Sequence, residues 1–171
     1  MGQEDPNKVF TVQGKSVQHV KISSDSTECS IAAICVLPDR QVLVADNNTE
    51  NVKLLDQQNQ VSSHWSVTGR PVGMLEITPS EVAVTVNDAP KIHEVQFITV
   101  KNMQLVIGRK LQLQHTCTVH MVAVSPTGER LYITNLSINK LLTLAKDGSV
   151  LASFADPSLK ALHGVHVTPA G

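Results

Sequence analysis

The stretch QHTCTVH, residues 114–120, brings three potential metal ligands close together in the sequence. His115, Cys117 and His120 carry the imidazole and thiol groups that zinc sites commonly use. In an extended chain, however, successive side chains alternate between two faces, so His115 and Cys117 would point one way and His120 the other. Because no fourth ligand follows nearby, we expect a loop that leads into a strand, with neither a metal nor a cofactor.

A second set of potential ligands consists of acid and amide side chains at the ends of apolar runs. These residues are Asp46, Asn87, Asp88 and Asn135. Carboxylate and amide oxygens suit calcium, and equivalent strand ends could bring these residues together. Asp and Asn in such places also accept hydrogen bonds from the turn that follows. We favour the turn interpretation and keep the calcium site as an alternative.

Aromatic side chains, which stack on single-stranded nucleic acid, are scarce in this sequence. The chain has five: Phe10, Trp65, Phe97, Tyr132 and Phe154. Four of them fall within apolar strand patterns, and the exception is Trp65, which precedes Arg70 by five residues. Trp and Arg are frequent anchors of protein interfaces. Packing inside the fold and contact with a partner are both open interpretations of Trp65.

Composition limits the class of protein. The chain has 171 residues, of which 42% are hydrophobic and 17% charged, enough for one globular domain with a buried core. A net charge of -1 provides no general attraction to nucleic acid or to an anionic membrane. Three cysteines without a CxxC pair indicate neither a disulfide framework nor a zinc ribbon. With no apolar run long enough to span a bilayer and no signal-peptide pattern, we expect a cytoplasmic protein without membrane contact.

Internal repetition organises the sequence. The contexts VLPDRQVLVAD, EITPSEVAVTV, AVSPTGERLYITN and HVTPAG each place a proline after an apolar run, at Pro38, Pro79, Pro126 and Pro169. The intervals between these prolines are 41, 47 and 43 residues. A period of about 40 to 50 residues, made of short strand-like runs, is typical of β-propeller blades with four antiparallel strands each.

The repeat divides the chain into one partial propeller domain over residues 1–171. We expect three complete blades, at residues 32–71, 72–118 and 119–163. Residues 1–31 are expected to supply the trailing strands of a preceding blade, within KVFTVQGKSVQHVKI, and residues 164–171 the first strand of the next. The Pro-centred turn joins the first two strands of each blade, and Asp147-Gly148 marks a tight hairpin. The pattern therefore predicts part of a larger propeller, whose open edges could associate with another copy.

Several motifs resemble a known family. Pro71-Val72-Gly73, VADNN (residues 44–48) and NVKLLD (residues 51–56) are similar to the units of NHL-repeat propellers. The segments VSPTGERLYITN and KLLTLAKDGSVLASFADP resemble the C-terminal propellers of invertebrate tripartite-motif (TRIM) proteins. This resemblance implies a propeller at the substrate-recognition end of a ubiquitin ligase. The RING and B-box ladders of cysteine and histidine that such ligases carry are not present in these 171 residues.

The sequence favours a non-catalytic recognition module that binds a protein partner. No carboxylate pair, Ser/His/Asp order or phosphate-binding glycine loop indicates catalysis. Loops between second and third strands (47–50, 87–90, 136–139) should share a face with those between blades (68–70, 115–118, 158–163), and loops commonly carry binding sites. The candidate partner contacts are Arg70, His93, His115, His163 and Trp65. The alternatives are single-stranded RNA, which some NHL propellers bind, and a calcium-dependent lactonase.

Overall fold

Twelve β-strands make up the regular structure of the residues described. The computed structural model describes residues 17–88, 92–113, 118–158, 160 and 162–168. The strands form three antiparallel sheets of four, each with its strands in chain order from one edge to the other. The predicted all-β fold with three four-stranded blades is therefore confirmed. In this part of the chain no helix is long and apolar enough to span a membrane.

Each blade consists of four short strands that follow one another along the chain. Blade 1 contains β1 (Ile31–Val36), β2 (Val42–Asp46), β3 (Asn51–Leu55) and β4 (Val61–Ser66). Blade 2 contains β5 (Arg70–Thr78), β6 (Glu81–Asp88), β7 (Ile92–Lys101) and β8 (Gln104–Gln112). Blade 3 contains β9 (Val119–Val124), β10 (Arg130–Asn135), β11 (Lys140–Ala145) and β12 (Val150–Ala155). β1 begins at Ile31 and β5 at Arg70, one and two residues before the predicted starts of their blades at residues 32 and 72.

Two apolar cores lie between the blades, and β6 takes part in both. Val82 and Val84 pack with blade 1 residues such as Leu43 in the first core, whereas Ala83 packs with Ile133 of blade 3 in the second. Consecutive residues of a strand point to opposite faces, so a strand between two neighbours must be apolar on both. The outer strand β12 is exposed along its whole length. The second strand of each blade is thus largely buried, whereas the fourth strand of blade 3 lies at the exposed rim.

Gly73, in the Pro71-Val72-Gly73 motif, marks a close contact between blades 2 and 3. A Cβ atom at this position would lie 2.7 Å from the backbone oxygen of His120 and 2.8 Å from Oγ1 of Thr85. Both distances are shorter than any ordinary carbon contact, and the first involves backbone. The hydroxyl of Thr85 also donates to the same His120 oxygen, at 3.2 Å. Glycine is therefore required here because two strands approach without room for a side chain.

The terminal segments differ from the prediction in their described parts. Residues 17–30 and 162–168 contain no strand, although the sequence indicates strands in both. A strand depends on hydrogen bonds to a neighbouring strand, and none of the twelve strands pairs with either segment. Residues 1–16 and 169–171 lie outside the described part of the chain.

Candidate functional site

Two pairs of the chain segments that were predicted to share a face are joined by hydrogen bonds in the described part of the chain. The Val67 N–H donates to the Glu50 oxygen at 2.9 Å, which ties the blade 1 to blade 2 connection to the loop after β2. In the same way the Leu136 N–H donates to the Thr118 oxygen at 3.2 Å, next to the loop after β10. Asn47 bonds to Pro71 and Asn87 to Val119 across the blade junctions beside them. The described residues 47–50, 67–70, 87–88, 118 and 136–139 are here named the loop face.

A shallow depression of about 410 Å³ lies on the loop face between blades 1 and 2. Its lining residues are Asn47, Arg70, Val72, Asn87 and Asp88. Arg70 and Asp88 are exposed, and the Arg70 guanidinium has no ion pair with any residue of the described part of the chain. As far as the described residues go, the depression therefore offers one cationic group and one carboxylate without an ion-pair partner.

Protein contacts hold the other polar groups of the depression in place. The Asn47 amide donates to the Pro71 oxygen at 3.1 Å, and the Asn87 amide donates to the Val119 oxygen. The Asn87 Oδ1 atom lies 3.1 Å from Nδ1 of His93. Glycine at position 69 lets the backbone lie close to Asp88, because a Cβ there would lie 2.8 Å from Cβ of Asp88. The depression is thus a preformed feature of the junction between the blades.

The predicted partner contacts occupy different environments. Arg70 lies at the depression, and Trp65, 41% exposed, lies near the end of β4. His93 is only 4% exposed, so burial removes it from the surface and its ring supports Asn87 instead. His163 is exposed, and its ring packs edge-on against the ring of His120 with centroids 5.2 Å apart. His115 lies outside the described residues, as does Cys117.

A buried cluster of charges, which the sequence analysis missed, lies below the loop face in blade 1. The Lys53 ammonium lies 2.6 Å from a carboxylate oxygen of Asp25 and 2.8 Å from one of Asp46, and all three side chains are fully buried. The Cys29 sulfur is 3.4 Å from the same nitrogen. We call these four residues the Lys53 cluster. The signal in the sequence was a lysine inside an apolar strand, since a buried lysine requires acidic partners.

The charges of the Lys53 cluster stabilise one another. Burial raises the pKa of the Asp46 carboxyl, but hydrogen bonds from Lys53 and from other groups of the cluster outweigh it and hold the pKa well below its usual range. The pKa of Asp25 is lowered for the same reason, again against burial. Burial lowers the pKa of Lys53, yet its bonds to Asp25 and Asp46 raise it overall. Burial is also the main cause of the raised pKa of the Cys29 thiol. Lys53 is therefore a cation and both acids are anions at neutral pH.

Three side chains of the Lys53 cluster are of the types that bind metal ions in proteins. The carboxylates of Asp25 and Asp46 and the sulfur of Cys29 offer ligand atoms within 4.8 Å of one another. The Lys53 ammonium lies among these atoms and supplies the positive charge that a metal ion would otherwise bring. The Asp46 carboxylate in addition accepts from the Ser30 N–H at 2.8 Å. The arrangement is therefore an internal ion cluster that fastens the chain before β1 to blade 1.

The remaining strand-end residues are also engaged by the protein. The Asn135 Oδ1 atom accepts from the Ser137 N–H at 3.1 Å, which is the turn bond that the sequence analysis favoured. The Asn87 side chain bonds to Val119 and His93 as described above. Asp88 alone keeps an exposed carboxylate in this set. The oxygens proposed for calcium are thus mostly used in local structure.

Three consecutive four-stranded antiparallel sheets, with an apolar core between each neighbouring pair, define a β-propeller fold. No protein-family model matches this sequence, and no curated protein matches it either. The chain is similar to the Cps50 (Swd1) β-propeller domain of Myceliophthora thermophila, with a TM-score of 0.62 and 17% identity over 75% of this chain and 44% of that one. It is also similar to a putative 6-phosphogluconolactonase from Bacteroides uniformis, with a TM-score of 0.62 and 14% identity over 81% and 46%.

A third solved structure has the same fold. This is a catalytically inactive virginiamycin B lyase from Staphylococcus aureus with quinupristin, with a TM-score of 0.64 and 14% identity over 85% of this chain and 47% of that one. The chain thus spans less than half the length of these three propellers. At such low identities the likeness shows the fold alone, because proteins with unrelated activities share it.

Proposed function

We propose that the protein is a non-catalytic recognition module that binds a protein partner through the loop face. In this proposal it acts as the substrate-recognition end of a TRIM-type ubiquitin ligase. The observation that carries the binding part is the preformed depression lined by Arg70, which is exposed and forms no ion pair with another described residue. Arginine is among the residues most enriched at the energetic centres of protein interfaces, since its planar guanidinium can bond and stack at once.

The chemistry of the loop face supports recognition over the two alternatives. A calcium-dependent lactonase needs several free oxygen ligands at one point, whereas the oxygens of Asp46, Asn87 and Asn135 have protein partners. Single-stranded RNA needs basic groups interleaved with aromatic ones. Of the loop-face depression's five lining residues, one is basic and none is aromatic.

The ligase part of the proposal rests on the resemblance of the repeat motifs to NHL and TRIM propellers. It is tested on the transcript that encodes this chain, sequenced in both directions. RING and B-box cysteine ladders in the same reading frame would support it. A reading frame without them would remove the ligase assignment and leave the binding proposal intact.

A peptide selection tests the binding proposal directly. The purified protein is used to select from a phage-displayed library of random peptides, and the affinity of the enriched peptides is measured by calorimetry. Arg70→Ala should weaken binding at least tenfold, since a buried charged contact is worth more than about 1.4 kcal/mol. Arg130→Ala is the matched control, because Arg130 is an exposed arginine at the opposite end of β10 from the loop face.

Two parallel measurements separate the alternatives. Retention of a random single-stranded RNA pool that falls with salt, with no peptide selected, would replace the proposal with RNA binding. A calcium-dependent rise in melting temperature would favour a metal-dependent enzyme instead. Peptide binding that Arg70→Ala leaves unchanged would show that the depression is not the contact surface.

A further inference from the structure

Two histidines from distant parts of the sequence meet at blade 3. His120 belongs to β9, and His163 belongs to the segment that follows β12. Their rings contact edge to face, with the ring centroids 5.2 Å apart and the ring planes at 85° to each other. The packing of the later segment against blade 3 therefore brings together two side chains of a type that commonly binds metal ions.

A β-bulge and a contact with blade 2 fix the backbone at His120. The β9–β10 register shifts so that His120 and Met121 together lie opposite Thr134. The Met121 N–H donates to the Thr134 hydroxyl at 3.1 Å, and the His120 oxygen accepts from the Thr85 hydroxyl at 3.2 Å. Bulges redirect side chains and are common beside functional sites. The backbone that carries the His120 ring is thus held from two sides.

The His120 ring has a nitrogen without a hydrogen-bond partner. Its Nδ1 atom is buried and bonds to no residue in the described part of the chain. Buried polar atoms are nearly always paired, so an unpaired one calls for an explanation, of which a bound ion is one. The neighbouring His163 is exposed to solvent, so ions can approach the pair from its side.

The separation of the two rings matches that of two imidazoles on one metal ion. With zinc–nitrogen bonds of about 2.1 Å at a tetrahedral angle, the centres of two bound imidazoles lie about 5 Å apart. Imidazole nitrogen suits zinc and its neighbours in the first transition series, whereas calcium and magnesium require oxygen ligands. We propose that His120 and His163 together bind a divalent transition-metal ion of the zinc type.

This site is distinct from the other sites considered above. No metal was expected at QHTCTVH because no further ligand follows nearby in the sequence, but His163 comes from a distant segment. The loop-face depression shares no lining residue with the histidine pair, so the metal proposal and the recognition proposal can fail separately. An ion bound to both rings would join residues 162–168 to β9.

Calorimetric titration of the purified, chelator-treated protein with zinc chloride tests the proposal. Zinc should bind and raise the melting temperature, because an ion that binds only the folded chain stabilises it. Calcium chloride should leave the melting temperature unchanged. His120→Ala and His163→Ala should each weaken zinc binding at least tenfold, because each removes one of the two protein ligands. His64→Ala is the matched control, since His64 is an exposed histidine on β4 of blade 1.

Nuclear magnetic resonance of the histidine side-chain nitrogens identifies the ligands directly. Zinc should shift the ring-nitrogen signals of His120 and His163 and leave those of His64 unchanged. Should His120→Ala lose its far-ultraviolet circular dichroism, His163→Ala still decides the result, because His163 is exposed and lies outside the strands. A wild-type protein that binds no zinc would overturn the proposal, as would zinc binding that His163→Ala leaves unchanged; the ring pair would then be an aromatic contact alone.

Discussion

Replacing Lys53 with methionine tests the role assigned to the Lys53 cluster. Methionine keeps an unbranched side chain of similar length but removes the ammonium that lies between Asp25 and Asp46. Two buried carboxylates would then face each other without a counter-charge. We expect the variant to be strongly destabilised, although an exposed lysine could be replaced at little cost.

The expected magnitude follows from the burial of all three side chains. Removing one partner of a buried ion pair costs about 3 to 5 kcal/mol, because the remaining charge is neither solvated nor paired. For a domain of this size, about 1 kcal/mol corresponds to a shift of about 2 to 4 °C in melting temperature. Lys53→Met should therefore lower the melting temperature by about 6 to 20 °C. Adding Asp46→Asn to Lys53→Met should recover part of the loss, since one of the two buried charges disappears.

Two measurements cover global and local effects of this substitution. Urea unfolding followed by the fluorescence of Trp65, the single tryptophan, gives the free energy of unfolding. Hydrogen exchange of the Ser30 amide, which donates to Asp46, reports whether the chain before β1 has detached. Lys101→Met is the matched control, because Lys101 is an exposed lysine at the end of β7.

The reasoning would be refuted by a small effect. If Lys53→Met changed the free energy of unfolding by less than about 1 kcal/mol, the typical range for an exposed pair, and left Ser30 exchange unchanged, the cluster would not be the buried ion pair described above. A loss confined to Ser30 exchange would show that the cluster fastens only the segment before β1.

Three further predictions concern pH and packing. The lowered pKa values of the acids mean that the Lys53 cluster stabilises the fold above their ordinary pKa of 3.8 and loses this contribution as the pH falls through the lower folded values. The raised pKa of Lys53 means that its contribution to stability is complete below pH 10.5 and is lost as the pH rises through the higher folded value. The free energies of unfolding of wild type and Lys53→Met, measured in urea, should therefore converge at both low and high pH. Gly73→Ala should cost about 1 to 3 kcal/mol, because its Cβ would meet backbone, whereas Gly164→Ala, with open space around it, should be near neutral in the same assay. Arg109→Ala should cost about 0.5 to 1 kcal/mol by removing the guanidinium that lies 3.9 Å from the centre of the Phe97 ring; an unchanged melting temperature would contradict this.

Local sequence signals were sufficient for the twelve strands of the three blades, but not for the terminal segments. The runs VLVAD and LYITN end in polar residues, and turn residues such as Asp147-Gly148 define hairpins within a few residues of chain. Gly148 has a φ of 92°, which glycine adopts without the steric cost that other residues meet. Such features depend on neighbours in sequence, so they could be predicted without knowledge of the whole fold.

Individual site residues could not be assigned in the same way. His93 was a reasonable surface candidate from its place near a loop, but the β6–β7 register buries its ring beside Asn87. Asp46 was recognised as a strand-end acid, yet its partner Lys53 is 7 residues away in the chain, and Asp25, which binds the same lysine, is 21 residues away. Whether such an acid binds a cation from solution or an internal lysine depends on which segment packs over it.

The sequence by itself determined the repeat, the strands, the turns and hence a propeller of at least three blades, because the repeat period and the alternation of apolar residues are properties of short segments. Only the tertiary structure decided which polar groups remain free on the loop face and which are used by the protein. These outcomes depend on contacts between blades and on the segment before β1, whose geometry arises only when distant parts of the chain pack together.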